Sequence, residues 1–332
     1  MADSPFNPCV DCVSQAAYSR LLLGSSDGTD CEAWTSATRL RFMSEDLKLY
    51  RRKVIPQEIT GDLHIYADLI RDDVRFVYGS VTFMTSPAEM ETLLPYMIGD
   101  LDSGSGGSGY FLPDNCLNQC CILIKRDYGV FRYKHMKCAR WQLFGRALRW
   151  TGEDIEPPGP NQVMLRMWFL GEDRDIDVIT WPSPQPELTI DNSMSQYFIH
   201  NGTFTFRSSA RAIRQFALVV DHGLKPEFLN SATPSTICSY GRRTEMSIKL
   251  DWNDTNDDLI SQADDQPATL LLTGLNSRYT QFEFGGAVAE DEDPNAPGRH
   301  EKVDWNVRNI MGAVDVSANE FDITAINDAV GA

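Results

Sequence analysis

Eight short runs of β-branched and aromatic residues, each broken by Gly, Pro, Asn, Asp or charge, constrain this chain more than any other feature. They are 76–84, 122–124, 130–133, 163–170, 216–220, 246–252, 270–273 and 282–284. Residues of this kind fit a pleated, half-buried surface, so the chain is expected to be mainly β. The run at 163–170 is nearly all apolar, with Arg166 its one charge, and reads as a strand covered on both faces or as one face of an assembly. One helix is marked. Ser86 is a natural N-cap, Pro87 takes the first helical position, and Glu89 completes a capping box. Met90, Leu93, Leu94 and Met97 then form one apolar stripe, Pro95 argues for a short or kinked helix, and Gly99 stops it.

The strand-then-helix unit recurs. Residues 79–83 followed by the capped helix have a counterpart in 246–250 followed by 254–260, and Ser80 to Ser247 is an offset of 167 in a chain of 332. Each copy is preceded by a strand and a long return, which gives two long hairpins, 45–84 and 216–250. This pattern predicts an internal duplication of a β module with one short helix and one long hairpin. The segment Trp181, Pro182, Ser183, Pro184, Gln185, Pro186 alternates proline and suits a junction. The expected division is an irregular N-terminal arm at 1–36, a first β domain at 37–183 and a second at 184–332.

Chemistry is harder to find. Cys9 and Cys12 form a CxxC, while Cys116, Cys120 and Cys121 have a spacing that matches no common zinc hook. The eight cysteines are read as reduced thiols. The five histidines form no ligand pair, GxSxG is absent, and the glycine-rich run 103–109 lacks a phosphate-loop ending. The acidic string 290–293 has no EF-hand spacing. Cofactors, metals and catalytic residues are therefore all expected to be none. A carbohydrate-hydrolase reading, with Trp141, Trp150 and Trp168 lining a groove, rests on composition alone.

Lys and Arg number 30 against 47 Asp and Glu, a net charge of −17. That balance argues against general binding to nucleic acid or anionic membrane, since both require displacement of counterions by a positive face. Between residues 251 and 304 there are 13 acidic and 3 basic side chains, a solvated face or a surface that repels a passing polyanion. No apolar run reaches the length of a membrane helix, and the N-terminal residues lack the pattern of a signal peptide. A soluble protein is expected.

The stretch Thr38, Arg39, Leu40, Arg41, Phe42, Met43, Ser44, Glu45, Asp46, Leu47, Lys48 resembles the opening strand of tail tube proteins of long-tailed bacteriophages. The likeness continues through 56–62, the 79–84 strand and the 89–99 helix, and in the second half through 216–226 and 241–248. It covers roughly 37–325; the cysteine-rich start and the insert 100–115 depart from it. The resemblance implies two tail-tube-type β-sandwich or barrel modules. Subunits would form trimeric pseudo-hexameric or hexameric rings, stacked into a negatively charged channel through which DNA passes without specific binding. Ring closure would pair strand edges that a monomer must otherwise protect. The implied partners are further copies of the chain and other tail proteins (tape measure, terminator, baseplate), and the location is the virion tail, assembled in the host cytoplasm. Another ring-forming virion part, such as a tail terminator, distal tail or decoration protein, shares these features. Candidate subunit-contact residues are Lys48, Tyr50, Arg52, Ile59, Leu224, Phe228, Arg242 and Trp252; candidate acidic surface residues are Asp257, Asp258, Glu290 and Asp291.

Overall fold

The computed structural model describes residues 20–25, 31, 37–54, 71–99, 101–102, 109–111, 117–126, 129–147, 161–176, 181–182, 194–206, 208–251, 266–290, 304–312 and 324–328. The first half holds β1 (Arg20–Ser25), β2 (Thr38–Leu40), β3 (Phe42–Glu45), β4 (Lys48–Val54), β5 (Arg71–Met84), helix α1 (Pro87–Met97), β6 (Leu101–Asp102), β7 (Gly109–Phe111), β8 (Cys120–Arg126), β9 (Gly129–Arg146), β10 (Met164–Gly171) and β11 (Asp173–Ile176). The second holds β12 (Gly202–Phe206), β13 (Ser209–Asp221), β14 (Leu224–Glu227), β15 (Thr236–Ser239), β16 (Arg243–Asp251), β17 (Gln266–Thr273), β18 (Tyr279–Glu290), β19 (Asp304–Gly312) and β20 (Thr324–Asp328). The eight runs read from the sequence fall on these strands, except that Val163 precedes β10 and Trp252 lies outside the described residues.

The chain is a mainly antiparallel β-sandwich rather than a closed barrel. Its ladders follow the same order twice. Pairing β1·β2 in the first half corresponds to β12·β13 in the second, and β3 and β4 with β5 correspond to β13·β16. Likewise β5·β10 corresponds to β16·β19, β10·β9 to β19·β18, and β9·β8 to β18·β17. The series ends with β8·β1 against β17·β12 and β9·β11 against β18·β20. Register shifts recur at corresponding places, between Cys120 and Ile122 on β8 and between Gln266 and Ala268 on β17. Such bulges bend a strand so that it can turn the corner between layers.

Arg52 faces Val74 in the first hairpin, and Asp221 faces Arg243 in the second. The first ladder runs on past a bulge to Val54 and Arg71, whereas the second ends at Asp221 and Arg243. The helix expected at 254–260 lies outside the described residues.

Helix α1 matches its sequence signals. The Glu89 N–H donates to Ser86 Oγ (3.2 Å), and the Ser86 hydroxyl donates to Glu89 Oε2 (2.9 Å). Arg41, between β2 and β3, donates through Nε and Nη2 to the same carboxylate at 2.8 and 3.0 Å. Burial pushes the Glu89 carboxyl up, against the downward pull of Arg41 and Ser86. The helix runs past Pro95 to Met97, because the N–H that proline lacks would have met the carbonyl of Glu91, an exposed residue. Met90, Leu93, Leu94 and Met97 are fully buried, as the stripe requires.

Three features depart from the sequence reading. Residues 20–25, inside the segment expected to be an irregular arm, form β1 and pair with both β2 and β8. The cause is Leu21, Leu22 and Leu23, all buried, each contributing about 1.5–3 kcal/mol of apolar burial. Cys31 and Cys121 form a disulfide with Cα atoms 5.8 Å apart, whereas Cys120 and Cys138 are free and buried. The expectation of reduced thiols is corrected for that pair: β1 lies on β8 and brings the two sulfurs together. Closing 90 residues of chain is worth about 4–5 kcal/mol in the chain-entropy account. Finally, β10 alternates: Leu165, Met167 and Phe169 are core, while Met164, Arg166, Trp168 and Leu170 are only half-buried. Its apolar content therefore does not mean cover on both faces. Trp168 is flanked by the guanidinium groups of Arg140 and Arg166, 5.1 and 4.9 Å from its ring.

Candidate assembly interface

One sheet runs through both halves. Strand β9 pairs along 137–144 with β10, and on its other side 140–146 pair with 215–221 of β13. The strand can change neighbours because its pairing with β8 stops at Met136 and its pairing with β13 starts at Arg140; His135, with φ of 49°, sits at the bulge in the β8 ladder just before the change. The order along the sheet is β4, β5, β10, β9, then β13, β16, β19, β18. Among the described residues β4 pairs only with β5, and 288–290 of β18 pair only with β19. Among the described residues the sheet ends at these two edges.

The β4 end is cationic and aromatic. Its sequence is Lys48, Leu49, Tyr50, Arg51, Arg52, Lys53, Val54, and every residue but Leu49 is exposed. Leu49, opposite the buried Val77, turns inward to the core. The other face presents cross-strand pairs, Lys48 with Tyr78 and Tyr50 with Phe76. The Tyr50 and Phe76 ring centroids lie 5.1 Å apart, and the Lys48 ammonium sits 4.9 Å from the Tyr78 ring. Arg52 pairs with Asp73 at 3.2 Å; Arg51 and Lys53 have no ion-pair partner among the described residues. Cations on an edge strand discourage pairing with an arbitrary neighbour; they leave the edge open to a partner of opposite charge.

The second hairpin folds onto this face. Strands β14 and β15 pair with one another, and the chain between them carries Phe228, whose ring centroid is 6.2 Å from that of Phe76. The Arg75 N–H donates to the Ala232 carbonyl at 2.7 Å, and Lys137 Nζ donates to the Ile237 carbonyl at 3.1 Å. Four of the exposed large apolar side chains, Tyr50, Val54, Leu229 and Tyr240, belong to the two hairpins.

The root of the second hairpin is fixed by a buried polar junction. The Met97 carbonyl, at the end of α1, accepts from Trp141 Nε1 at 3.0 Å and from His222 Nε2 at 2.8 Å. A carbonyl can only accept, so His222 carries its proton on Nε2, and its Nδ1 accepts from Arg242 Nε at 3.3 Å. Burial, and then the Arg242 charge, push this imidazole down to about 4. Trp141 also meets Phe282 of β18, with centroids 6.0 Å apart. The helix of the first half thus ties β9 to both the second hairpin and the second half.

The structure brings Lys48, Tyr50, Arg52 and Phe228 into this one patch. Leu224, half-buried on β14, and Arg242, beside His222, sit nearer the hairpin root. Glu290 is the last residue of β18. Ile59, Trp252, Asp257, Asp258 and Asp291 lie outside the described residues. Sequence reasoning missed Phe76 and Tyr78; their alternation with Val77 and Gly79 in the 76–84 run was the available signal. A half-open cleft of about 250 Å³ lies over the β9·β13 junction, lined in part by Gln142, Phe144, Met164, Gln215 and Ala217. Its lining carries no carboxylate, imidazole or thiol. Among the described residues there is no cluster of three potential metal ligands, and no helix is long and apolar enough to cross a membrane. No family model and no curated protein matches the chain.

Proposed function

We propose that this chain is a structural subunit that polymerises into rings and tubes, the tail tube of a long-tailed bacteriophage, with two tail-tube-type modules per chain. The observation that carries this reading is the repeated pairing order, with the two halves joined strand to strand at β9·β13 and, among the described residues, a sheet that ends at β4 and β18 with no further strand. A sheet that ends in unpaired edges is completed by neighbours, and identical neighbours joined head to tail close into a ring. With two modules in each chain, three chains supply six modules. The net charge of −17 suits a channel along which DNA slides without sticking. Stacked rings, contacts with tape measure, terminator and baseplate proteins, and residence in the virion tail follow from the same reading.

The test is negative-stain electron microscopy of the purified chain over a range of concentrations. Hollow tubes of uniform width are expected. Single rings that never stack would favour a terminator or decoration role, and a chain that stays monomeric at every concentration would overturn the reading.

A further inference from the structure

The outward face of the sheet at the β9·β10 ladder is cationic in an acidic chain. Arg140, Gln142, Phe144 and Arg146 alternate along β9 with the buried Trp141, Leu143 and Gly145. On β10, Trp168 stands opposite Arg140, Arg166 opposite Gln142 and Met164 opposite Phe144. The outward positions within 76–84 of β5, 164–170 of β10 and 140–146 of β9 carry three arginines and no carboxylate, against a net charge of −17 for the chain. Two carboxylates border this face. Asp46 Oδ2 is 4.0 Å from Arg166 Nη2, and Asp221, opposite Arg140 on β13, accepts from the Gly223 N–H at 2.8 Å. Arg140 has no ion-pair partner among the described residues, and both it and Arg166 are held against the Trp168 ring. Beside them lies the cleft of about 250 Å³, where Phe144 and Met164 are the apolar lining. The side-chain amides of Gln142, Gln162 and Gln215 also border it, and none has a hydrogen-bond partner among the described residues.

We infer that this face binds an extended acidic peptide of a partner protein, with one large apolar side chain of the peptide in the cleft and carboxylates on either side of it. The cleft is smaller than those that take a whole drug-sized ligand, about 300–1,000 Å³, and suits a single side chain. Its amides both donate and accept, as a peptide group does. The arginines that flank it, Arg140 and Arg166 at one end and Arg146 at the other, carry the fork that matches a carboxylate. Spacing agrees as well. Outward residues on a strand recur roughly every 6.5–7 Å, and so do the side chains on one face of an extended peptide lying along β9. Nucleic acid suits the face less: two guanidinium groups already lie against the Trp168 ring, and the acidic remainder of the chain repels a long polyanion. A second copy presenting the same face would bring arginine to arginine.

The inference stands or falls apart from ring formation, because it is tested on the dispersed full-length chain. The probe is a labelled peptide, Asp-Glu-Ser-Leu-Ser-Glu-Asp, followed by fluorescence anisotropy at low and high salt. Binding in the micromolar range that weakens with salt is expected. Replacing the peptide's leucine by serine should weaken it about tenfold, and replacing its acids by lysine should abolish it. An Arg140→Gln and Arg166→Gln double variant should bind at least tenfold more weakly with an unchanged melting temperature. Arg140→Gln alone, at an exposed side chain, should lose part of the affinity and keeps the test open if the double variant fails to fold. No binding by the wild type at millimolar peptide overturns the inference, as does equal binding by the arginine variants. Equal binding of the leucine and serine peptides overturns the cleft as the anchor. An oligothymidylate that binds more tightly than the peptide, and is lost in the arginine variants, overturns the peptide assignment in favour of nucleic acid.

Discussion

The two long hairpins, 45–84 and 216–250, are built on corresponding ladders, yet they are held in opposite ways. The second is anchored: Gly223 has φ of 57°, its neighbour His222 is buried against the Met97 carbonyl, and the β14·β15 hairpin rests on the first arm. At its root the first arm presents Arg52 and Lys53, both exposed. Ladders that pair in the same order need not give their loops one task. Here the second hairpin is an internal brace, and the first carries the exposed charged, aromatic edge.

The largest expected effect lies at the brace. Trp141→Ala removes a fully buried side chain and a donor to Met97 O together. It should destabilise the chain by about 3–5 kcal/mol, read by denaturant unfolding. Lys53→Gln at the root of the other arm should stay within about 0.5 kcal/mol, as surface changes usually do. Comparable losses at both sites would erase the contrast.

Next in size is a pH effect confined to the braced arm. His222 is held down to about 4 in the folded chain, by burial first and the Arg242 charge second, against about 6.5 when unfolded. Because its folded value is the lower, its contribution is fully present above about pH 6.5 and is lost as pH falls toward 4, roughly 3 kcal/mol in all. Thermal melts across that window should show the loss, and His222→Gln should flatten it. An unchanged slope in the variant would mean that another group titrates.

Gly223→Ala tests the turn itself. An added Cβ would lie 2.6 Å from the Gly241 carbonyl oxygen, on a left-handed backbone. A cost of about 1–3 kcal/mol is expected, visible in the melting temperature. The smallest effect is the contact between the arms: a double-mutant cycle on Phe76→Ala and Phe228→Ala should give a coupling of about 0.5 kcal/mol. A coupling of zero would show the arms to be energetically independent.

Much of this architecture was legible in the residues. Each strand run has a period that sterics impose, and Ser86, Pro87 and Glu89 name a helix start by chemistry alone. The alternating burial of β10 was hidden, because Trp168 and Met164 are apolar whichever face they take. The Cys31–Cys121 bond could not be read either, since it depends on the register of β1 against β8, far apart in the sequence. Lys48, Tyr50 and Arg52 could be placed together because they alternate along the opening strand of the first long hairpin. Their joining to Phe228 required the second hairpin to fold back across the first, a tertiary event with no local signature.

The central claim, two ring modules in each chain joined head to tail, is tested most directly by counting chains in one ring. Native mass spectrometry of single rings, read together with the rotational symmetry of their electron-microscope averages, gives that count. The account predicts three chains of 37.4 kDa in a ring whose projection repeats six times. Six chains in a sixfold ring, or a species closed by a two-fold axis, would contradict it.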